Sequence, residues 1–169
     1  MISFNVVAST SEDTVVATYE PSKVRSDSYQ SEAELEKEFI RLLCEQGYIY
    51  LPLHTEDELI ANLRSQLEEL NHYHFSDTEW RQFFSDVIAN PNEHIPEKTR
   101  KIQEDNVQVL HRDDGSSKNI TLIDKKNIHN NRLQVINQYE VKQADGARHD
   151  NRYDVTILVN GFPLVHVEL

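Results

Sequence analysis

The chemistry that this sequence suggests is concentrated in two acidic residues near its C-terminal end, Asp154 and Glu168. Both lie in the stretch NRYDVTILVNGFPLVHVEL, where runs rich in Val and Ile flank Asn160-Gly161. Such runs on either side of Asn-Gly are a strong signal for a β-hairpin. Two carboxylates on neighbouring strands can share a divalent metal ion and its waters. The stretch therefore predicts a hairpin with a metal site, provided that both acids point to the same face.

The register of the hairpin decides which way the acids point, and two registers are open. A two-residue type I′ loop would pair Val159 with Phe162 and put the two carboxylates on opposite faces. A type I turn ending in a G1 bulge would pair Leu158 with Phe162 and put the carboxylates on one face. We favour the bulged register, because a one-residue slip would mix valines with carboxylates on both faces.

In the bulged register the side chains sort by type, since strand side chains alternate between the two faces. One face carries Val155, Ile157, Val159, Val165 and Val167, and the other carries Asp154, Thr156, His166 and Glu168. Asp154 then pairs with His166. Glu168 lies diagonally from Asp154, within roughly 7 Å between Cβ atoms.

An acid on one strand and a glutamate on the next resemble the PD-(D/E)xK nuclease signature. The chain as a whole resembles the N-terminal endonuclease domain of the restriction (R) subunit of type I restriction enzymes. The residues that carry this resemblance are NRYDVTILVNGFPLVHVEL and, upstream, EKTRKIQEDNVQVL and DKKNIHNNRLQVINQYE. The resemblance implies that Asp154 and Glu168 are catalytic acids and Mg²⁺ ligands, with the backbone carbonyl of Leu169 as a further ligand. The lysine of the family motif falls immediately beyond Leu169.

The resemblance also implies an activity and partners. Members of the family cleave unmodified double-stranded DNA nonspecifically after ATP-driven translocation, in a complex with methyltransferase (M) and specificity (S) subunits. ATP belongs to motor domains outside this stretch, and no G-x-x-x-x-G-K-[ST] motif occurs here. Without the lysine, we expect this piece to bind metal weakly and not to cut. The alternative function is a noncatalytic docking module that joins the motor subunit to the methyltransferase subunits.

Several residues near the predicted site remain open in role. Arg148 and Arg152 either contact the DNA backbone or balance neighbouring aspartates. His166 either contacts a phosphate or water, or makes a structural hydrogen bond. The first predicted helix carries three glutamates, which either add an acid to the site, as in some relatives, or form a solvated surface. These are Glu34, Glu36 and Glu38.

Two rival sites are weaker. Asp124 and Lys126 also form D-x-K at a strand end, with Asp105 or Asp114 as a partner acid, but such residues are ordinary in turns. The H-x-H at residues 72–74 has no third ligand in view, which argues against a zinc site.

Composition bounds the class of protein. A chain of 169 residues with 38% hydrophobic and 27% charged side chains is ordinary for one globular domain, and we expect a single domain over 1–169, incomplete at its C-terminus. No apolar run approaches a membrane span and the N-terminus lacks a signal-peptide pattern, so a cytoplasmic protein without membrane contact is expected. Cys44 is expected to be a buried thiol on a helix.

The net charge of −12 argues against a nucleic-acid binder at face value. Its distribution softens that objection: of 29 acidic and 17 basic residues, 19 acidic and seven basic ones lie in residues 1–99, and ten of each lie in residues 100–169. The acidic first part is either a docking surface or a solvated one.

The elements that must position the acids follow from periodicity. Two short β-like runs, Ile2–Ala8 and Thr14–Tyr19, precede a polar loop at 21–30. Three helices then begin at capping boxes, in which a hydroxyl residue precedes a glutamate by three positions. The caps are Ser31, Thr55 and Ser76, and the helices are predicted to end at Gly47, Asn71 and Asn90. The first helix is predicted to bury Leu35, Phe39, Leu42 and Leu43.

After a short fourth helix from Pro96 to about Gln103, the period changes to that of strands. Val107–His111 and Asn119–Ile123 predict a hairpin, and Leu133–Val141 predicts a longer strand before the closing hairpin. Helices followed by a mixed, mostly antiparallel sheet indicate an α+β fold, with a PD-(D/E)xK nuclease-like core truncated at its C-terminus.

Overall fold

The computed structural model describes residues 4–9, 15–19, 31–141 and 151–169, and the side chains of residues 31–138 and 154–169. The chain divides into two compact units, Met1–Ser31 and Glu32–Leu169. In the first unit, β1 (Phe4–Ser9) pairs antiparallel with β2 (Val15–Tyr19), which confirms the two β-like runs. The polar loop predicted at 21–30 lies outside the described residues.

The second unit begins with helices. Its described residues form α1 (Glu32–Glu45), α2 (Glu56–Asn71), α3 (Asp77–Phe83) and α4 (Ile95–Gln103). A π-helical turn, Phe84–Ile88, continues α3. The capping box of α2 is confirmed: Glu58 N–H donates to the Thr55 hydroxyl at 3.3 Å, and Thr55 N–H donates to the Glu58 carboxylate at 3.0 Å. Ser76 and Glu79 form the same box at the start of α3.

Six strands accompany these helices in the described part of the second unit. They are β3 (Ile49–Tyr50), β4 (Val107–His111), β5 (Ser117–Thr121), β6 (Leu133–Val141), β7 (Asn151–Val159) and β8 (Phe162–Val167). A four-stranded sheet has the order β3-β6-β7-β8, and β4 and β5 form a separate antiparallel pair. Only β3, which periodicity did not predict, runs parallel to its neighbour in the four-stranded sheet.

Helices cover both faces of the four-stranded sheet. On one face, a cluster under α1 contains Leu43, Val135 and Val155. On the other face, a cluster under α2 contains Leu59, Ile136 and Leu158. The largest cluster joins α2 and α3 to the β4-β5 pair and contains Leu63, Leu67, Phe75, Trp80, Phe83, Leu110, Ile120, Leu122 and Phe162. Burial of apolar side chains in the clusters under α1 and α2 holds the four-stranded sheet between two helical layers.

The α+β fold with a mixed, mostly antiparallel sheet is confirmed. The predicted inner face of α1 is wrong in part: Leu35 and Leu42 are 40% and 42% exposed, because the sheet meets the stripe centred on Glu36 and Leu43 instead. Cys44 is exposed rather than buried for the same reason. In the described residues, no helix has the length and apolar character needed to cross a bilayer.

Candidate functional site

The closing hairpin adopts neither predicted register along its whole length. Val159 pairs with Phe162, and Asn160 and Gly161 both have positive φ angles, of 50° and 82°. This is the two-residue loop, so the favoured bulged turn is wrong. The physical reason lies in the residue types: Asn and Gly both tolerate left-handed backbone, so the tighter type I′ loop forms without strain.

One extra residue in β8 puts the polar side chains of the two strands back on one face and the valines on the other. The register shifts after Leu158, which pairs with Pro163, because the next pair is Ile157 with Val165 and Leu164 is left over. Beyond this bulge Thr156 pairs with His166 rather than Asp154 with His166. A bulge of this kind re-aims every later side chain of its strand by one position.

The two acids consequently lie at the same end of the hairpin and on the same face. The pairing of β7 with β8 ends at Val155 and Val167, so Asp154 and Glu168 occupy the next positions along the two chains. The backbone N–H of Leu169 donates to Asp154 Oδ2 at 2.9 Å, which ties the segment after β8 to the aspartate. Asp154 is half-buried, whereas Glu168 is exposed. The sequence predicted Asp154 and Glu168 as diagonal neighbours across the two strands. In the structure they lie directly opposite each other.

Next to the acids, Thr156 and His166 form a second polar pair on the same face. Thr156 Oγ1 and His166 Nδ1 lie 2.9 Å apart, within hydrogen-bond distance, and Thr156 is 1% exposed. Desolvation by its surroundings lowers the pKa of the His166 imidazole below its usual range. This contact fits the structural hydrogen bond that was one of the two roles open for His166.

The other end of the hairpin is fixed by Asn160, a role that sequence reasoning did not find. Asn160 is 1% exposed and donates to the carbonyl of Leu122 and to Asn131 Oδ1, at 3.1 and 2.8 Å. Its own side-chain oxygen accepts the Arg132 N–H at 2.8 Å. Asn160 thus joins the turn to the loop before β6, and its only sequence signal was its place in the turn.

Two of the α1 glutamates, Glu36 and Glu38, have different environments in the structure. Glu36 is buried, at 7% exposure, and accepts hydrogen bonds from the side-chain amides of Asn137 and Gln138. Glu38 is exposed and pairs with Arg41 on the same helix. For Glu36, the described contacts match neither a solvated surface nor a carboxylate on the face of the two acids.

The alternative D-x-K motif, Asp124 to Lys126, lies in a loop, where the aspartate binds neighbouring residues of the same loop. The Asp124 carboxylate accepts N–H groups from Lys126 and Asn127, each at 2.9 Å, and the Asn130 amide at 2.8 Å, and these bonds lower the pKa of Asp124. At residues 72–74, His74 contacts Glu68. Among the described side chains, no three His, Cys, Asp or Glu residues form a group that could hold a metal ion.

Arg148 and the side chain of Arg152 lie outside the described part of the chain. The candidate site that the structure does describe therefore consists of the face shared by Asp154, Thr156, His166 and Glu168, closed by the backbone of Leu169.

Comparison with known proteins gives a consistent family. Residues 29–169 match the family described as type I restriction enzyme R protein N terminus. The type I restriction enzyme EcoprrI endonuclease subunit of Escherichia coli is 44% identical over 164 residues, which are 96% of this chain and 51% of that protein.

Two staphylococcal proteins match over much smaller shares of their own length. The SsaAORF53P endonuclease subunit of Staphylococcus saprophyticus is 34% identical over 83% of this chain and 15% of that protein. The SauMSSORF170P endonuclease subunit of Staphylococcus aureus is 35% identical over 84% of this chain and 15% of that protein. The chain spans about half the length of the Escherichia coli relative and far less of these two. The chain belongs to the family of type I restriction enzyme R protein N termini.

Proposed function

We propose that this chain carries the DNA-cleaving site of a type I restriction enzyme R subunit, with Asp154 and Glu168 as ligands of Mg²⁺. The observation that carries the proposal is the placement of the two acids at neighbouring positions, with Asp154 on β7 and Glu168 directly after β8, one step beyond the pair of Val155 and Val167. The names of the relatives, which are endonuclease subunits of type I restriction enzymes, support the same reaction. Cleavage would be nonspecific, would act on unmodified double-stranded DNA, and would follow ATP-driven translocation by motor domains elsewhere in the subunit.

The residues present suit magnesium. Mg²⁺ is a hard cation that prefers oxygen ligands, binds one or two carboxylates and keeps several waters. Asp154 and Glu168 supply two such carboxylates, and the carbonyl of Leu169 is a candidate third ligand. A bound magnesium ion would supply positive charge next to the anionic phosphodiester and make a neighbouring water more acidic.

The rest of the site positions these ligands. The Leu169 N–H fixes one oxygen of the Asp154 carboxylate. The contact between Thr156 and His166 holds the next pair of the hairpin together, one step deeper in the sheet. Arg148, Arg152 and His166 are candidate contacts for the DNA backbone. In the complex we expect the M and S subunits as partners, with sequence recognition in the S subunit.

The test is DNA cleavage by the full-length subunit, assembled with its M and S partners, with native Asp154 and with Asp154→Ala. We expect the variant to lose cleavage and to keep ATP hydrolysis and assembly, because only the metal site is altered. Asp105→Ala, which removes an exposed acid after α4, is the matched control and should cut normally. Equal cutting by native protein and Asp154→Ala would exclude the assignment.

A docking role is the second candidate, favoured by the charge of the helical layer. Residues 31–79 contain 12 acidic and three basic side chains, and α1 exposes Leu35 and Leu42 beside its acidic surface. A basic surface with apolar residues on a methyltransferase subunit would suit this face. Leu35→Ser combined with Leu42→Ser should then reduce assembly, while the fraction that assembles should cut normally. Unchanged assembly would argue against docking through α1.

A further inference from the structure

A buried glutamate links α1 to the strand beside the proposed metal site. Glu36 accepts the Asn137 amide at 2.6 Å and the Gln138 amide at 2.8 Å. Asn137 in turn accepts the Tyr50 hydroxyl at 2.8 Å, so β3 joins the same network. A buried carboxylate costs free energy unless it is hydrogen-bonded, and here the two amides lower that cost.

The two amides come from consecutive residues of one strand, which a regular strand does not allow. Successive strand side chains point to opposite faces, so Asn137 and Gln138 should diverge. Gln138 has a φ of 55°, in the left-handed region that residues other than glycine rarely adopt. This conformation turns both amides towards Glu36. Strained backbone of this kind persists only where its surroundings hold it in place.

The strained residue lies in the same row of the sheet as Asp154. Asn137 pairs with Val155 and Tyr139 pairs with Tyr153, which places Gln138 opposite Asp154. Asn137 and Val155 belong to the face that α1 covers, whereas alternation puts Asp154 on the other face. Glu36 therefore contacts Gln138, the residue opposite Asp154 in the neighbouring strand, and lies on the other face of the sheet from the Asp154 carboxylate.

We propose that Glu36 is a positioning residue, which holds Gln138 in its left-handed conformation and thereby sets the backbone against which Asp154 is presented to the metal. This inference depends on the proposed metal site at Asp154 and Glu168. It assigns to Glu36 no contact with the metal, because its carboxylate is engaged by the two amides on the α1 face.

The first test measures metal affinity directly, by titrating the chain with Mn²⁺ and following free Mn²⁺ by electron paramagnetic resonance. We expect Glu36→Ala to weaken Mn²⁺ binding by roughly 10- to 100-fold, the range usual for residues that orient metal ligands. Glu38→Ala is the matched control, since Glu38 lies on the same helix but is exposed and paired with Arg41. Native affinity in Glu36→Ala would overturn the proposal.

A second variant separates positioning from general destabilisation. Gln138→Ala removes the amide that contacts Glu36 and leaves the carboxylate and the second amide in place. If Glu36 acts through Gln138, the single variants should weaken Mn²⁺ binding similarly, and the double variant should be no weaker than either. Additive losses would overturn the proposal, as would native affinity in Gln138→Ala. If Glu36→Ala does not fold, the affinity of Gln138→Ala alone still tests the proposal, because weakened binding is expected and native affinity would overturn it.

Failure of the metal site itself is distinguished by a third arm. Asp154→Ala should abolish Mn²⁺ binding in the chain and DNA cleavage in the assembled enzyme. If it does so while Glu36→Ala binds and cuts as the native protein does, only the inference about Glu36 fails. If Asp154→Ala binds and cuts normally, the proposed function fails, and the inference fails with it.

Discussion

At the scale of single residues, Gly161 shows how one position can have two constraints. Its φ of 82° lies in the left-handed region, where a Cβ is unfavourable. In addition, a Cβ added there would lie 2.6 Å from the Cα of Leu63, in the backbone of α2. Gly115, in the turn between β4 and β5, has nearly the same φ but open space around it. The two glycines therefore separate backbone strain from close approach.

We expect Gly115→Ala to lower the free energy of unfolding by about 1–2 kcal/mol, the usual cost of a left-handed L-residue. Gly161→Ala should cost a further ~1–3 kcal/mol, because the new methyl group must displace the backbone of α2. Chemical denaturation of the two variants and the native chain measures both values. Equal losses would show that α2 yields to the added methyl group.

Glu79 gives a prediction about pH. Burial of this carboxylate would raise its pKa, but the N–H groups of Ser76 and Asp113 and the Tyr73 hydroxyl, with Arg112 nearby, outweigh burial and lower the pKa. A depressed pKa stabilises the fold above the ordinary pKa of about 4.3 for Glu. That contribution is lost as the pH falls through the lower, folded value.

Glu79→Gln should therefore lower the free energy of unfolding by roughly 1–3 kcal/mol at pH 7, because an amide cannot accept all of these bonds. The difference between native chain and variant should shrink as the pH falls from about 4.3 through the lower pKa of the folded state, because the unfolded chain binds a proton at Glu79 before the folded chain does. Urea denaturation at a series of pH values measures it. A difference that is constant from pH 7 to pH 3 would contradict the linkage.

At the scale of elements, α2 supports the sheet from the face that also carries the acids. Leu59 in its first turns packs against Ile136 and Leu158, and Ile136 pairs directly with Thr156, the partner of His166. The helix begins at the Thr55 capping box, whose geometry is complete. The N-terminal end of α2 is therefore held by local hydrogen bonds before it contacts the sheet.

We expect Thr55→Val to lower the free energy of unfolding by about 0.5–2 kcal/mol, the usual cost of losing an N-cap hydroxyl. Ser65→Ala, at an exposed position of the same helix, should change it by less than about 0.5 kcal/mol. Thermal and urea denaturation of both variants provide the comparison. If Thr55→Val leaves the free energy of unfolding unchanged, packing alone determines where α2 begins.

At the scale of the whole molecule, the charge of −12 and the pI near 5.0 oppose binding to DNA by the chain alone. The neutral balance of residues 100–169 reduces repulsion near Asp154 but adds no net attraction. Nonspecific binding to DNA depends on neutralising phosphates with basic side chains and weakens steeply with salt. The proposed function therefore needs the DNA to be held by other parts of the subunit or by partner subunits.

We expect the isolated chain to bind a short DNA duplex more weakly than about 10⁻⁴ M at physiological salt, the weak end of ordinary nonspecific binding. Fluorescence anisotropy of a labelled duplex measures the affinity. Binding at micromolar concentrations would instead point to a basic surface on the chain, and Arg148 and Arg152 would be the first residues to substitute.

Local patterns in the sequence were sufficient for most of the elements. The capping boxes at Thr55 and Ser76, the strand Leu133–Val141 and the presence of a hairpin at Asn160-Gly161, though not its type of turn, were all predicted from residue types alone. Each depends on neighbouring residues and backbone preferences, which a sequence displays directly. The family was identified from the stretches 97–110, 124–140 and 151–169, as the match over residues 29–169 confirms.

Tertiary structure decided what depends on contacts between distant residues. The bulge at Leu164 set the true register and made Asp154 and Glu168 direct neighbours, although the predicted turn was wrong. Packing on the sheet chose which stripe of α1 is buried, and so placed Glu36 against Asn137 and Gln138, about a hundred residues away. Periodicity fixes that a helix has an inner face, but only the surface that it meets determines which residues form it.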